Sequence, residues 1–293
     1  MKWFEYEAPT TLADALAILD ANPGACLLAG GTDLLVQLRA GRKQTDLVLD
    51  IKRIPELNEI SFDSASGLTL GAAVCCAEAY EHPLVKQHYP ALAEVASIIG
   101  GTQIQGRASI GGNLCNAAPS ADAVPLLIAL GAVCRVVGIH GERELPVEDF
   151  CLAPGQNAMN PGELLVSLRF PAPLPASGAH YLRFIPRNEM DIAVAGVGVS
   201  VTLENGAFKA ARIALASVAP KPLFVPAAGD SLKGKPVSAE SLDAAAQLAK
   251  AAASPISDMR GTVEYRRHLC AVLTRRALEA AVRQALGQAQ ETR

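Results

Sequence analysis

Apolar positions along this chain recur first at helical spacing and then in short runs. Leu12, Ala15, Leu16 and Leu19 follow Thr11, and Thr11 with Asp14 three residues on reads as a helix start with a carboxylate variant of the capping box. Asn22-Pro23-Gly24 ends that helix. Ala25 to Ala29 then reads as a short buried strand, Thr32 to Ala40 as a short helix closed by Gly41, and Asp46 to Asp50 as a second strand. From about Asn58 the pattern changes to a hairpin, Phe62 to Ala72, turning at Ser64-Ala65-Ser66-Gly67. Helical spacing returns at Ala77 to Glu81, at Pro90 to Ile99 and at Asp122 to Leu130. Strands are expected at Ala132 to Gly138 and Leu164 to Phe170.

Pro171-Ala172-Pro173-Leu174-Pro175-Ala176-Ser177-Gly178 reads as a linker, because alternate prolines suit neither a sheet ladder nor a helix interior. Beyond it come strands at His180 to Ile185, Ala193 to Leu203 and Lys209 to Val218. Asn205-Gly206 between the last two is a hairpin turn signal. Helices at Ala239 to Ala253 and Gly261 to Leu286 close the chain. The pattern divides the sequence into 1–57, 58–175 and 176–293, with no internal repeat.

Composition narrows the function classes. Half of the 293 residues are apolar and 19% are charged, so the chain has material for a large core and none of the character of a disordered segment. The 26 basic and 29 acidic residues give a net charge of −3 without a basic stripe, which argues against a nucleic-acid partner. No apolar run reaches the roughly 20 residues of a membrane span. The first residues carry acids and no small-residue cleavage site, so a signal peptide is not expected. The seven cysteines are an odd number with no Cys-x-x-Cys pair, which suits buried thiols in a reducing cytoplasm.

The informative chemistry lies in two glycine turns, Ala29-Gly30-Gly31-Thr32-Asp33-Leu34 and Ser109-Ile110-Gly111-Gly112-Asn113. Paired glycines between a strand and a helix let backbone N–H groups approach an anion, and the helix N-terminus behind the first turn adds partial positive charge. Neither turn carries a lysine or arginine; Arg107 is the nearest. A phosphate here would be held by backbone amides, with Thr32, Ser109 and Asn113 as further donors. Neither turn fits the P-loop or the Rossmann fingerprint. Asp33 is expected to stabilise its own helix start. Asp122 suits either a cap of the next helix or an acceptor for a ribose hydroxyl, and its spacing leaves both open. The histidines show no ligand spacing and the acids form no paired-carboxylate pattern, so no self-contained hydrolytic site is expected.

These two turns, about 80 residues apart, closely resemble those of the FAD-binding medium subunit of the molybdenum hydroxylases, the family of xanthine dehydrogenase and aerobic carbon monoxide dehydrogenase. Pro119-x-x-Asp122, Glu163-Leu164-Leu165, Arg187 to Ala193, Asp258-x-Arg260 and Tyr265-Arg266 extend the resemblance over essentially the whole chain. It implies an α+β architecture: a two-part FAD-binding fold of the vanillyl-alcohol-oxidase type, followed by a smaller α+β domain with an antiparallel sheet. The pyrophosphate of FAD would lie against Ala29, Gly30, Gly31, Thr32 and Asp33 and against Gly111, Gly112 and Asn113. Ser109 and Asn113 match side-chain ligands of the family, and Asp122 matches its adenosine-side acid. Leu165 matches an apolar contact near the flavin, Ile192 the residue over the isoalloxazine face, and Arg183 a basic residue near the flavin. Gln105 stands where many relatives have arginine, and Cys75 and Cys76 replace small or hydroxyl residues; both cysteines read as buried small hydrophobes.

The resemblance implies an electron-transfer oxidoreductase subunit without catalytic acid, base or metal of its own. Its partners would be a large molybdopterin subunit and a small subunit with 2Fe-2S clusters, as a dimer of heterotrimers in the cytoplasm, and an external electron acceptor. The alternatives are a stand-alone FAD-dependent oxidase or reductase, with Glu189 or Asp191 as its only candidate bases, and a non-catalytic scaffold subunit. The arginines of the last helix, Arg266-Arg267, Arg275-Arg276 and Arg283, offer a basic face to a partner or to solvent.

Overall fold

Leu47, Val48 and Leu49 are almost completely buried, which suits the central strand of a sheet covered on both faces. In the computed structural model, which describes residues 2–291, the strand Leu47–Asp50 lies between Glu5–Glu7 and Cys26–Leu28, parallel to both. The helix Leu12–Ala21 forms where the spacing predicts it, and the Thr11 hydroxyl accepts from the Asp14 amide at 3.1 Å. The Asp14 carboxylate bonds that same hydroxyl. Glu5–Glu7 has no counterpart in the sequence reading: its three residues are all exposed and polar or amphipathic, so no apolar alternation announces it.

The second sheet has five antiparallel strands in the order Ile60–Asp63, Gly67–Gly71, Leu164–Phe170, Val133–Gly138, Gly141–Pro146. Its central strand is buried almost throughout, and its side chains alternate between two cores. Leu165, Leu168 and Phe170 join the helices Pro90–Ser97, Ile110–Cys115 and Ala123–Ala129, whereas Leu164 and Val166 meet Ala15, Leu16, Leu19 and Leu49 of the first unit. Residue 57 is therefore crossed by a shared core.

The chain then runs without regular structure from Pro171 to Ala176 into a four-stranded antiparallel sheet, Ser177–Phe184, Ala195–Glu204, Ala207–Ala216 and Leu223–Phe224. Asn205 and Gly206 both adopt positive φ, 52° and 79°, the pairing a two-residue hairpin of type I′ requires. The helices Ala239–Ala252 and Val263–Glu291 cover one face. The other face rests on Ala123–Ala129, whose seven residues are all buried. A Cβ on Gly198 would stand 2.5 Å from the Pro125 backbone, so glycine there lets helix and strand meet. The α+β architecture with a two-part first half and an antiparallel C-terminal sheet agrees with the expectation.

The basic face of the last helix is only partly present. Arg266 is buried, donating to the carbonyls of Val194 (2.8 Å) and Ser217 (3.0 Å) and to Asp258 (2.6 Å). Arg267 donates to the Ala253 carbonyl and Arg275 to Asp243 and Glu279. Helical periodicity turns Arg266 inward with Leu269, Cys270 and Leu273, and its charge is met within the chain by Asp258 and two carbonyls.

Candidate functional site: a cleft between two glycine turns

The first turn leaves the parallel sheet at Leu28 and enters the helix Leu34–Arg39. Gly31 has φ +78°, where a side chain is strained. Among the described residues the amides of Gly30, Gly31, Thr32 and Asp33 donate to no protein group, which leaves four N–H groups in one bend for a ligand. Arg107 holds the bend from outside, donating to the carbonyls of Gly30 (3.3 Å) and Ala29 (3.4 Å). A Cβ on Gly30 would overlap the Arg107 carbonyl, so the first turn lies directly on the segment that leads into the second.

The second turn is built differently. No strand precedes it; Ser109 caps the helix Ile110–Cys115, its hydroxyl accepting from the Gly112 amide at 3.0 Å. Both glycines sit in the first helical turn, and neither has positive φ. Gly111 is required by contact instead, since a Cβ there would overlap Ala72. The Asn113 side chain accepts from the Ala123 amide at 3.3 Å and ties this turn to the buried helix.

Between the turns lies a cavity of about 520 Å³. Of the residues singled out from sequence, Ala29, Gly30, Gly31, Thr32, Asp33, Ser109, Gly111, Gly112, Asn113 and Leu165 line it. Asp33 makes no side-chain cap bond, and burial pushes its carboxyl up, so it does not act as the expected cap. Asp122, Arg183 and Ile192 lie off the cavity walls. The Asp122 carboxylate receives Arg183 Nη1 at 2.6 Å and the Tyr181 hydroxyl at 2.8 Å, and it makes no cap bond to its helix. Burial pushes the Asp122 carboxyl up against the opposing pull of Arg183 and Tyr181, and raises Tyr181 as well. Ile192 is half-exposed on a loop whose Met190 Sδ stands 3.0 Å from where a Gly101 Cβ would lie, next to the cavity's Gly100. Glu189 and Asp191 share that loop and are also off the walls.

The structure adds residues that the sequence did not single out. Gln37 Nε2 donates to Asn116 Oδ1 at 3.0 Å, joining the two walls, and Asn157 donates to the Cys115 carbonyl at 2.8 Å. Lys43, Ile99, Ile104 and Met159 line the cavity with them. These come from separate helices, strands and loops with no shared motif, and only the Gly-Gly signals were legible locally. Gln105 is buried and donates to the Ser97 carbonyl at 2.6 Å, a structural role. Cys76 is buried with its thiol pushed up to about 12 by desolvation, while Cys75 is half-buried beside Ser109.

The cavity suits a dinucleotide with a flat ring. Its volume is in the range of cofactor sites. Free amides at one bend and a helix N-terminus at the other face the same space, as an anionic diphosphate requires. Ile99, Ile104 and Leu165 give an apolar wall for a ring system. FAD has both parts.

Comparison with known proteins agrees. Residues 2–173 match the family described as the FAD binding domain in molybdopterin dehydrogenase, and residues 180–281 match the CO dehydrogenase flavoprotein C-terminal domain. The chain is 33% identical to the xanthine dehydrogenase FAD-binding subunit of Escherichia coli O157:H7, over 97% of this chain and 98% of that one. It is 33% identical to the carbon monoxide dehydrogenase medium chain of Hydrogenophaga pseudoflava, over 95% and 96% of the two chains. A solved structure of the Hydrogenophaga pseudoflava enzyme superposes with a TM-score of 0.92 at 34% identity, covering 96% of this chain and 97% of that one. Quinoline 2-oxidoreductase of Pseudomonas putida 86 superposes with 0.90 at 28% identity, covering 97% and 99%. With both halves of the fold matched in order, the chain belongs to the FAD-binding subunits of the molybdopterin dehydrogenases.

Proposed function

We propose that this chain is the FAD-holding electron-transfer subunit of a molybdenum hydroxylase complex, and that its cofactor lies in the cleft between Gly30-Gly31 and Gly111-Gly112. The observation that carries this is that both turns line one cavity, and that the four amides of residues 30–33 meet no acceptor among the described residues. Micromolar binding needs about 8 kcal/mol, and hydrogen bonds to a charged group contribute about 1.5–3 kcal/mol each. Four or five such amide bonds with a buried ring are therefore sufficient.

When bound, FAD supplies the exchange between single electrons and electron pairs. The chain's own residues position it. The amides of residues 30–33 and the first turn of Ile110–Cys115 would hold the diphosphate, Ser109 and Asn113 fix that turn, and Leu165 would shield the ring from water. Arg183 donates to Asp122, which also accepts from the Tyr181 hydroxyl, and so stands fixed at the junction with the C-terminal sheet. Ile192, off the cavity walls on a half-exposed loop, would reach the outer face of the ring only where the ring extends beyond the cleft. The electrons come from 2Fe-2S clusters of a small subunit, after substrate oxidation at a molybdopterin centre in a large one. An external acceptor then takes them from this chain. The complex is a cytoplasmic dimer of heterotrimers, and the chain divides functionally at residues 57 and 175. Among the described residues, no helix is long and apolar enough to cross a membrane.

The test is the visible spectrum of the full chain, with mass measurement of the acid-released cofactor and molybdenum and iron analysis of whatever co-purifies. A flavin spectrum, the mass of FAD and both metals in the co-purified complex are expected. A flavoprotein that carries neither metal in any assembly would favour a stand-alone enzyme.

A further inference from the structure

The helices behind the two glycine turns are joined by a hydrogen bond between side chains that both line the cavity. Gln37 stands on Leu34–Arg39 and Asn116 directly follows Ile110–Cys115. Gln37 Nε2 donates to Asn116 Oδ1 at 3.0 Å. Each partner is also one backbone bond from its own turn. The Gln37 amide donates to the Asp33 carbonyl at 3.0 Å, and the Asn116 amide to the Gly112 carbonyl at 3.0 Å. A continuous path of three hydrogen bonds therefore runs from Asp33 through Gln37 and Asn116 to Gly112. The two ends of this path are unequally anchored. Ile110–Cys115 buries Ile110 and Leu114, and Asn157 donates to its Cys115 carbonyl at 2.8 Å. Leu34–Arg39 buries Leu38 alone. A six-residue helix with one buried side chain has little packing to set its orientation.

We propose that Gln37 and Asn116 are positioning residues: their hydrogen bond is a strut that sets the spacing of the two glycine turns and thereby the affinity for the cofactor's diphosphate. The inference rests on the cofactor reading above. A diphosphate is short, so both turns meet it together only at one separation. Hydrogen bonds weaken steeply beyond their ordinary length, so a shift of about 0.5 Å in the first turn loosens several amide bonds at once. Arg107 fixes the start of that turn through the carbonyls of Ala29 and Gly30. The strut joins its other end, at Asp33, and the better-anchored helix of Asn116 serves as the fixed post. Holding a site in its bound geometry raises affinity by removing part of the ordering cost of binding.

The experiment titrates the full-length apo chain with FAD, following flavin fluorescence, and records a thermal melt of each apo protein. The proteins are wild type, Gln37→Ala, Asn116→Ala, the double alanine variant, Gln37→Asn, and Gln37→Asn combined with Asn116→Gln. Each single alanine variant should bind FAD about fivefold more weakly, because the turns then hold the competent spacing for only part of the time. The double alanine variant should lose no more than either single one, since both substitutions break the same bond. Gln37→Asn shortens the strut and should lose affinity, whereas adding Asn116→Gln restores its length and should recover most of the loss. General loosening of the fold does not produce that recovery. Apo melting temperatures should fall by no more than about 3 °C, the loss of one neutral hydrogen bond in a chain of this length. Additive losses in the double alanine variant, or no recovery in the exchanged pair, would overturn the strut and leave the cofactor site in place. Unchanged affinity in both single alanine variants would do the same. A folded wild-type chain that takes up no FAD would overturn the cofactor reading and this inference together.

Discussion

The two glycine turns look alike in sequence and are different objects in space. At Gly30-Gly31 the backbone itself is unusual: Gly31 takes φ +78° and four consecutive amides are left without acceptors among the described residues. At Gly111-Gly112 the backbone is ordinary helix, capped by Ser109, and Gly111 is needed only because the helix lies against Ala72. The first turn thus uses Gly31 for its conformation and Gly30 for its thinness, whereas the second uses Gly111 for thinness alone. The contrast separates residues that shape the cleft from residues that bring its walls together, and substitution should tell them apart.

The largest effects should come where a Cβ would enter a neighbouring backbone. Gly111→Val drives a branched side chain into Ala72, and Gly30→Val into the Arg107 carbonyl. Neither neighbour is a flexible side chain, so overpacking should cost at least 3 kcal/mol or so and flavin should be lost with it. Gly31→Val adds the positive-φ strain to a clash with Leu28, whose side chain is able to shift, so flavin loss should accompany a smaller stability loss of about 1–2 kcal/mol. Thermal melts and flavin-to-protein ratios of the three variants check the order. Equal melting temperatures in Gly111→Val and wild type would remove the packing account of the second turn.

Next in size is the clamp joining the second turn's neighbourhood to the C-terminal sheet. Asp122→Ala leaves the Arg183 guanidinium buried without its carboxylate, both side chains being little exposed, 13% and 10%. Breaking such a pair from one side costs about 3 kcal/mol. Tyr181→Phe removes one donor to the same carboxylate and should cost about 1.5 kcal/mol. Urea denaturation of both variants measures the difference, and a Tyr181→Phe loss equal to that of Asp122→Ala would mean the pair is not the clamp.

A third test uses pH, and two carboxylates respond with opposite sign. Glu163 is held down to about 2 by Arg143, with further help from the Asn160 amide. Its folded pKa lies below its unfolded value of 4.5, so its stabilisation is complete above about pH 4.5. It is lost as pH falls from there through 2, and a partly solvated pair of this kind is worth about 2 kcal/mol. Asp122, raised by burial, acts the other way: the folded state holds its proton more tightly, so this group opposes folding as pH rises through its range. Glu163→Gln should therefore flatten the stability curve between pH 5 and 3, read by urea midpoints at each pH. A curve as steep as wild type would assign the acid sensitivity elsewhere.

How much of this was legible in the sequence depends on whether the cause was local. Thr11 with Asp14, the Asn205-Gly206 turn and the prolines after Phe170 act within a few residues, and the elements they predict are present. The two turns were found because glycine pairs are conspicuous, yet their separate reasons were not, since Ala72 and Arg107 meet them only in space. Arg266 was read as surface because charge normally is, and the carbonyls of Val194 and Ser217 with the Asp258 carboxylate explain its burial. Lys43, Asn116 and Asn157 belong to no motif at all. They are neighbours through the cavity, so no reading of spacing would have assembled them.

The smallest expected stability change gives the sharpest comparison of the two turns. A Cβ on Gly112 meets only the Ser109 hydroxyl, at 2.9 Å, a movable group rather than a backbone. Replacing helical glycine by alanine gains up to about 1 kcal/mol of helix propensity, and disturbing the Ser109 cap costs about as much. The apo chain carrying Gly112→Ala should therefore melt within a degree or two of wild type. Yet Gly112 lines the cavity, and the added methyl would stand in the first layer of space beside the helix N-terminus. If the diphosphate lies there, FAD affinity should fall about tenfold, the equivalent of roughly one charge-assisted hydrogen bond, with no change in folding. An unchanged affinity would mean that the diphosphate rests on the first turn alone. The second glycine pair would then be a packing device from end to end.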